Sequence, residues 1–177
     1  MEERVILVDE NDTEIGTMGK LEAHQRGVLH RAFSVFVFDS SGRLMLQKRA
    51  SNKYHSGGLW TNTCCSHPRA GELVVDAAHR RLKSEMGFDC PLTEVHSLTY
   101  RAEFSNGLIE HEYDHMFVGV WDGTPLINSE EVDEWQWMDI EELRRQIAEH
   151  PEQYTYWFKI ALEDVLKSKL SGTPRLS

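Results

Sequence analysis

Apolar and polar positions change their period several times along the chain, and each change marks an element. Val5–Val8 is a short apolar run closed by Glu10-Asn11-Asp12, which reads as a strand and its turn. Ala32–Phe38 and Arg43–Lys48 read as two further strands, joined by Asp39-Ser40-Ser41-Gly42, where glycine supplies positive φ. Gly57-Gly58 breaks the chain before an extended stretch, Leu59–His67. From Glu72 to Met86 the period lengthens. Val74, Ala78, Leu82 and Met86 recur every four residues as one stripe of a helix, and Gly87 stands where its C-cap belongs. Extended segments resume at Val95–Phe104 and Ile109–Trp121, and again at Glu134–Met138. Asp139 with Glu142 three residues on starts a helix to about His150. Pro151 is placed to open a last helix, with Tyr154, Trp157, Phe158, Ala161 and Val165 on its apolar face. The sum is a mixed β-sheet flanked by helices, α+β or α/β in class, within one domain over residues 1–177; residues 171–177 read as a loose tail.

With 40% hydrophobic and 27% charged residues, such a chain can bury a core without disulfides. Its net charge of −10 repels nucleic acid and anionic membranes at long range, so neither is an expected partner. An anionic ligand then needs cations gathered locally. No apolar run approaches the ~20 residues that cross a bilayer. The acidic start lacks the basic-then-apolar order of a signal peptide. Cys64, Cys65 and Cys90 are odd in number, two of them adjacent, which argues against a disulfide framework and for a reduced, cytoplasmic setting. No exposed heptad or large apolar stripe calls for a second copy, so a monomer is expected.

Three groups of residues carry candidate chemistry. In extended backbone Cys65 and His67 share one face while Cys64 points to the other; taken alone, a buried cysteine beside a surface histidine accounts for them. Glu110 and Glu112, with Asp114 continuing the row, project side by side from a strand. Such carboxylates repel unless a cation or shared proton holds them, although a solvated acidic face is the commoner arrangement. His24 and His30, six residues apart, meet only through a bend. With His67, Glu110 and Glu112 they amount to three imidazoles and two carboxylates, a set suited to Mn²⁺, Mg²⁺ or, with adjusted geometry, Zn²⁺. Spacing alone does not gather them.

The segment Gly71–Gly87 resembles the Nudix signature, G-x5-E-x7-R-E-U-x-E-E-x-G-U with U aliphatic. Gly71, Arg80, Leu82, Glu85 and Gly87 are read as matches, with Ala77, Arg81 and Ser84 at three of its glutamates. Those carboxylates hold the metal of a Nudix hydrolase. Without them the helix is suited to hold a diphosphate, through Mg²⁺ on Glu85 and the charge of Arg81, rather than to cleave it. It is preceded by Trp60-Thr61-Asn62, Cys65 and His67-Pro68, and followed by Glu110-His111-Glu112 and Asp114. In this order, and with Lys20-x3-His24, His30–Ser34, Gln47–Ala50, Tyr100–Ala102 and Tyr156-Trp157, the chain resembles the type 1 isopentenyl diphosphate isomerases from about Lys20 to Trp157.

The resemblance implies a Nudix-type mixed sheet and an enzyme that interconverts isopentenyl and dimethylallyl diphosphate through a tertiary carbocation. It implies His24, His30, His67, Glu110 and Glu112 as ligands of one metal. Glu85 and the backbone carbonyl of Cys65 would serve a Mg²⁺ on the diphosphate. Cys65 and Glu112 would be the acid/base pair, with Tyr100 assisting Glu112 and Trp157 facing the hydrocarbon. Lys20, Arg49, Lys53 and Arg81 would contact phosphate oxygens. On this reading Glu112 donates its proton and Cys65, beside cations, accepts one as a thiolate. Cys64 and Cys90 are expected to pack, and His55, His79, His96, His111, His115 and His150 to be structural or solvated. A Nudix hydrolase of a nucleoside diphosphate derivative, and a metal-stabilised binding module, are the competing classes.

Overall fold

The computed structural model describes residues 2–170. Its elements are β1 (Arg4–Val8), β2 (Glu14–Gly19), α1 (Lys20–Arg26), β3 (His30–Phe38), β4 (Leu44–Arg49), β5 (Trp60–Thr61), β6 (Cys64–Ser66), α2 (Val74–Met86), β7 (Thr93–Glu103), β8 (Ile109–Val120), β9 (Val132–Met138), α3 (Ile140–Glu149) and α4 (Tyr156–Leu170).

β3 is the centre. Along one edge it pairs in parallel with β8, from His30 opposite Glu112 to Phe38 opposite Val120. Along its other edge it meets β1 at Leu7, β6 through Ser34 opposite Cys65, and β4 at Phe38. β7 extends the sheet antiparallel to β8, and β9 pairs antiparallel with β4. Phe33, Val35 and Val37 enter a core with Ala77, Ala78, Leu82 and Met86 of α2. Phe36 and Phe38 enter a second core with Leu143 of α3 and Trp157, Phe158, Ala161 and Val165 of α4. A strand covered on both faces has no reason to alternate, which is why Ala32–Phe38 is almost continuously apolar.

The strands and helices expected from periodicity are present, with three differences. β2 and α1 are additional: β2 is half exposed and α1 only seven residues long, so neither carries a full apolar period. The stretch Leu59–His67 divides into β5 and β6 because Asn62 and Thr63 spend their side chains on the backbone. Asn62 Nδ2 donates to the carbonyls of Val35 at 3.0 Å and Cys64 at 2.9 Å, and Thr63 Oγ1 donates to that of Met45 at 2.7 Å. Pro151 opens a single 3-10 turn, Pro151–Gln153, and α4 begins only at Tyr156. Tyr154 is buried from extended backbone beside Trp60, and the Thr155 N–H donates to the Trp60 carbonyl at 3.0 Å. Asp139 caps α3 by accepting from the N–H groups of Glu141 and Glu142. Residues 171–177 lie outside the described residues. Among those described, no helix is long and apolar enough to cross a membrane.

Candidate active site

α1 ends at Gly27, whose φ of 69° turns the chain back so that β3 can start at His30. That bend brings His24 and His30 together, with ring centroids 5.0 Å apart. The parallel pairing of β3 with β8 sets His30 opposite Glu112, and strand alternation buries Glu110, Glu112 and Asp114 in a row. His67, just past β6, closes the group. One donor atom from each of His24, His30, His67, Glu110 and Glu112 lies within 4.8 Å of every other, and all five residues are buried.

His24 and His30 each place Nδ1 on a backbone carbonyl, Lys20 at 2.6 Å and Val28 at 2.9 Å, which turns both Nε2 atoms inward. His24 Nε2 is 2.9 Å from Glu110 Oε1, while His30 Nε2 and His67 Nε2 are 3.2 and 2.6 Å from Glu112 Oε2. His67 Nδ1 and Glu110 Oε2 are buried with no partner. Buried polar atoms are rarely orphaned, and this donor set fits a divalent cation.

Burial pushes Glu110 up, but its contacts with His24 and His55 outweigh that and hold it well below the ordinary carboxylate range. Burial and Glu110 likewise push Glu112 up, and His67 and His30 bring it below its usual value. Burial pulls the His67 imidazole down despite Glu112. Asp114, third in the row, has no such partners. Ser34 Oγ donates to Oδ2 at 2.8 Å and Oδ1 is orphaned, so burial and then Glu112 drive its carboxyl well above the ordinary aspartate range. The folded protein therefore keeps this proton to higher pH than the unfolded chain. The stabilisation is complete below about pH 4, and about 1.4 kcal/mol of it is lost for each pH unit climbed from there towards the folded value. Asp114→Asn, which cannot ionise, should gain stability over the unaltered protein progressively as the pH climbs above about 4. Urea midpoints that differ by a constant amount throughout that climb would refute it.

The cluster opens on a cavity of about 350 Å³ lined by Cys65, Tyr100, Glu112 and Trp157, and by the cations Lys20, Arg49, Lys53 and Arg81. Cys65 and Glu112 come from strands on opposite edges of β3, and strands two apart in a sheet are separated by about 9–10 Å. Tyr100 donates its hydroxyl to Glu112 Oε1 at 2.5 Å. Cys64, one residue from Cys65, points the other way into the α2 core and donates Sγ to Glu85 Oε2 at 3.4 Å. The Trp157 ring carries the Arg49 guanidinium 5.2 Å from its centroid.

One expectation needs revision. Burial pushes the Cys65 thiol up to about 12, and Arg49 offsets only part of this against Glu85, Glu112 and Asp114, which favours the thiol over the expected thiolate. Three of the four cations of the cavity are held by carboxylates. Lys20 pairs with Glu3 at 3.3 Å, Lys53 with Glu131, and Arg81 with Glu85 at 3.0 Å and Glu131 at 3.6 Å.

The NUDIX domain profile matches residues 28–158. An isopentenyl-diphosphate Delta-isomerase 2 of Aromatoleum aromaticum is 56% identical over 169 residues, covering 96% of this chain and 89% of the relative. An isopentenyl-diphosphate Delta-isomerase of Serratia proteamaculans is 50% identical over 177 residues, 100% of this chain and 99% of the relative. The chain belongs to the isopentenyl-diphosphate Delta-isomerases, within the NUDIX superfamily. Solved structures share the fold: a Deinococcus radiodurans protein has TM-score 0.68 at 19% identity, covering 82% of this chain and 89% of that one. The MutT protein of Methanosarcina mazei has TM-score 0.65 at 13% identity, covering 82% and 96%.

The spacing of the helical signature itself corrects one part of its reading. Its first glutamate stands eight residues before its arginine, which is Glu72 and not Ala77; Gly71 is then not its first glycine. Glu72 takes Arg80 in both arms, Oε2 from Nε at 2.8 Å and Oε1 from Nη2 at 2.9 Å, and pins the loop before α2 to the helix. Arg81 and Ser84 still replace two acids, and Glu85 is the carboxylate of the segment that reaches the cavity. Beside Glu3 and Glu131, pattern reasoning missed His55 in this isomerase-family site, buried with Nε2 2.6 Å from Glu110 Oε1. It sits in a loop without periodicity, and only its neighbourhood to Lys53 hinted at the site.

Proposed function

We infer that the protein interconverts isopentenyl diphosphate and dimethylallyl diphosphate by adding a proton to one carbon and removing one from another. What supports this is a thiol and a carboxylate, Cys65 and Glu112, carried by strands on opposite edges of β3 and lining one cavity with four cations. The competing hydrolase reading is weakened by Arg81 and Ser84 in place of carboxylates.

The cations hold the diphosphate, Lys20, Arg49, Lys53 and Arg81 exchanging their present partners for phosphate oxygens, and this remote binding keeps a small alkene in place. The protonated Cys65 thiol gives its proton to the terminal carbon, and positive charge falls on the tertiary carbon. The Glu112 carboxylate takes a proton from the neighbouring carbon at the other side. Tyr100 holds Glu112 in orientation and offers its proton a path. Trp157 presents an indole to the hydrocarbon, worth roughly 0.5–2 kcal/mol toward a nearby cation, and helps keep out the water that would trap it. His24, His30, His67, Glu110 and Glu112 would hold Mn²⁺, Mg²⁺ or Zn²⁺, and Glu85 with the Cys65 carbonyl a Mg²⁺ on the diphosphate; the first supplies charge that keeps Glu112 ionised and fixed. The same reading expects a single domain acting as a cytoplasmic monomer on a small molecule, without nucleic acid or membrane.

Isopentenyl diphosphate followed by NMR in deuterated water with Mg²⁺ and Mn²⁺ tests it. Dimethylallyl diphosphate with deuterium in its new methyl group and no phosphate released is expected. Unchanged substrate with folded, metal-loaded protein would sink the reading, and released phosphate would favour the hydrolase.

A further inference from the structure

His55 is a buried imidazole that the proton transfers leave unused. It is 7% exposed although it sits on the loop between β4 and β5. Its ring stacks on Phe104, 4.9 Å between centroids and 7° between planes, and meets Tyr54 and Trp157 edge-on at 4.8 and 5.9 Å. Nε2 lies 2.6 Å from Glu110 Oε1, and Nδ1 lies 3.2 Å from the Ser56 hydroxyl. A hydroxyl can donate to Nδ1, so Nε2 is free to carry the hydrogen that Glu110 accepts.

His24 touches the same Glu110 oxygen from the opposite chemistry. Its Nδ1 faces the Lys20 carbonyl, which can only accept, so a neutral His24 presents a lone pair at Nε2. Two lone pairs facing each other call for a proton or a metal cation between them, and the five donor atoms gathered here point to the metal. Once Nε2 of His24 serves that cation, it cannot donate to Glu110, and His55 is the donor that remains on Oε1. Oε2, orphaned and buried, is then the oxygen left to face the cation.

We propose that His55 is a positioning residue that fixes the Glu110 carboxylate for the cation, through the contact of its Nε2 with Oε1 inside the Phe104–Tyr54–Trp157 cage. The inference rests on reading the His/Glu cluster as a cation site. It adds to that cluster a contact made by a loop residue, and outer partners of this kind typically govern metal affinity by 10–100-fold.

Two substitutions separate positioning from packing. His55→Phe keeps an aromatic ring against Phe104 and loses the donor; His55→Gln loses the ring and keeps an N–H at the side-chain tip. Metal-stripped protein is titrated with Mn²⁺ alone, free Mn²⁺ being read by electron paramagnetic resonance, and circular dichroism checks that each variant is folded. His55→Phe should bind Mn²⁺ roughly 10–100-fold more weakly, and His55→Gln should recover most of that loss. Should His55→Phe not fold, His55→Ala takes its place in the comparison. Unchanged Mn²⁺ affinity in the donor-less variant would overturn the inference while leaving the cation site standing. Failure of the unaltered protein to bind Mn²⁺ would overturn the site and the inference together.

Discussion

Cys65→Ser should lose roughly 10²–10⁴-fold in turnover, the range of a positioned proton-transfer group, while Cys64→Ser keeps most of its activity. The two cysteines are adjacent, yet β6 sends them to opposite faces. Cys65 lines the cavity, and Cys64 is enclosed in the α2 core, donating to Glu85. A serine hydroxyl at position 64 still donates to that carboxylate. At position 65 it is a far weaker acid than a thiol, and the same burial that raises the thiol to about 12 raises it further. Steady-state kinetics of both variants, with melting curves to show that each folds, make the comparison. Equal losses in the two would contradict the alternation of faces.

Glu112→Gln should be as damaging for a different reason. The amide is nearly isosteric, but it cannot accept a proton, and it removes a charge that His30, His67 and Tyr100 all converge upon. Turnover should fall by roughly 10²–10⁴-fold, with weaker binding of divalent metal. The ionisation states make a sharper prediction. If the thiol donates and the carboxylate accepts, Glu112→Gln in deuterated water still protonates the alkene and returns a proton from the same carbon. Isopentenyl diphosphate should then gain deuterium at its terminal methylene without conversion. Cys65→Ser should show no such exchange. Exchange in the cysteine variant and none in the glutamine variant would reverse the two roles.

Much of the fold was legible because burial follows periodicity. α2 declared itself by Ala78, Leu82 and Met86 at intervals of four and by Gly87 at its end, and β3 by an apolar run that only two covered faces explain. α1 stayed hidden because seven residues carry one stripe position and little more. The site was legible in kind but not in arrangement. Alternation alone put Glu110 beside Glu112 and Cys65 opposite Cys64, since both are facts about one strand. The meeting of His30 with Glu112 depends on parallel pairing between segments 82 residues apart, which no local pattern encodes. The protonated Cys65 thiol escaped for a related reason. Counting nearby cations suggests a lowered pKa, whereas burial, reinforced by Glu85, Glu112 and Asp114, sets the opposite sign. His55 had no pattern at all, because its burial is made by Phe104 and Trp157 from distant parts of the chain.

The carboxylates that already hold Lys20, Lys53 and Arg81 make the cavity an ion exchanger rather than an open positive patch. An anion that takes these three cations displaces Glu3 and Glu131 from them. A singly charged anion replaces one contact with another of the same kind and gains little. A ligand bearing several charges on one small group can take all three cations at once, while the tethered carboxylates are each released to water. If these cations hold the diphosphate as proposed, selection would be by valence before it is by shape, and the acidic surface of the protein would discourage larger polyanions from competing for the same exchange.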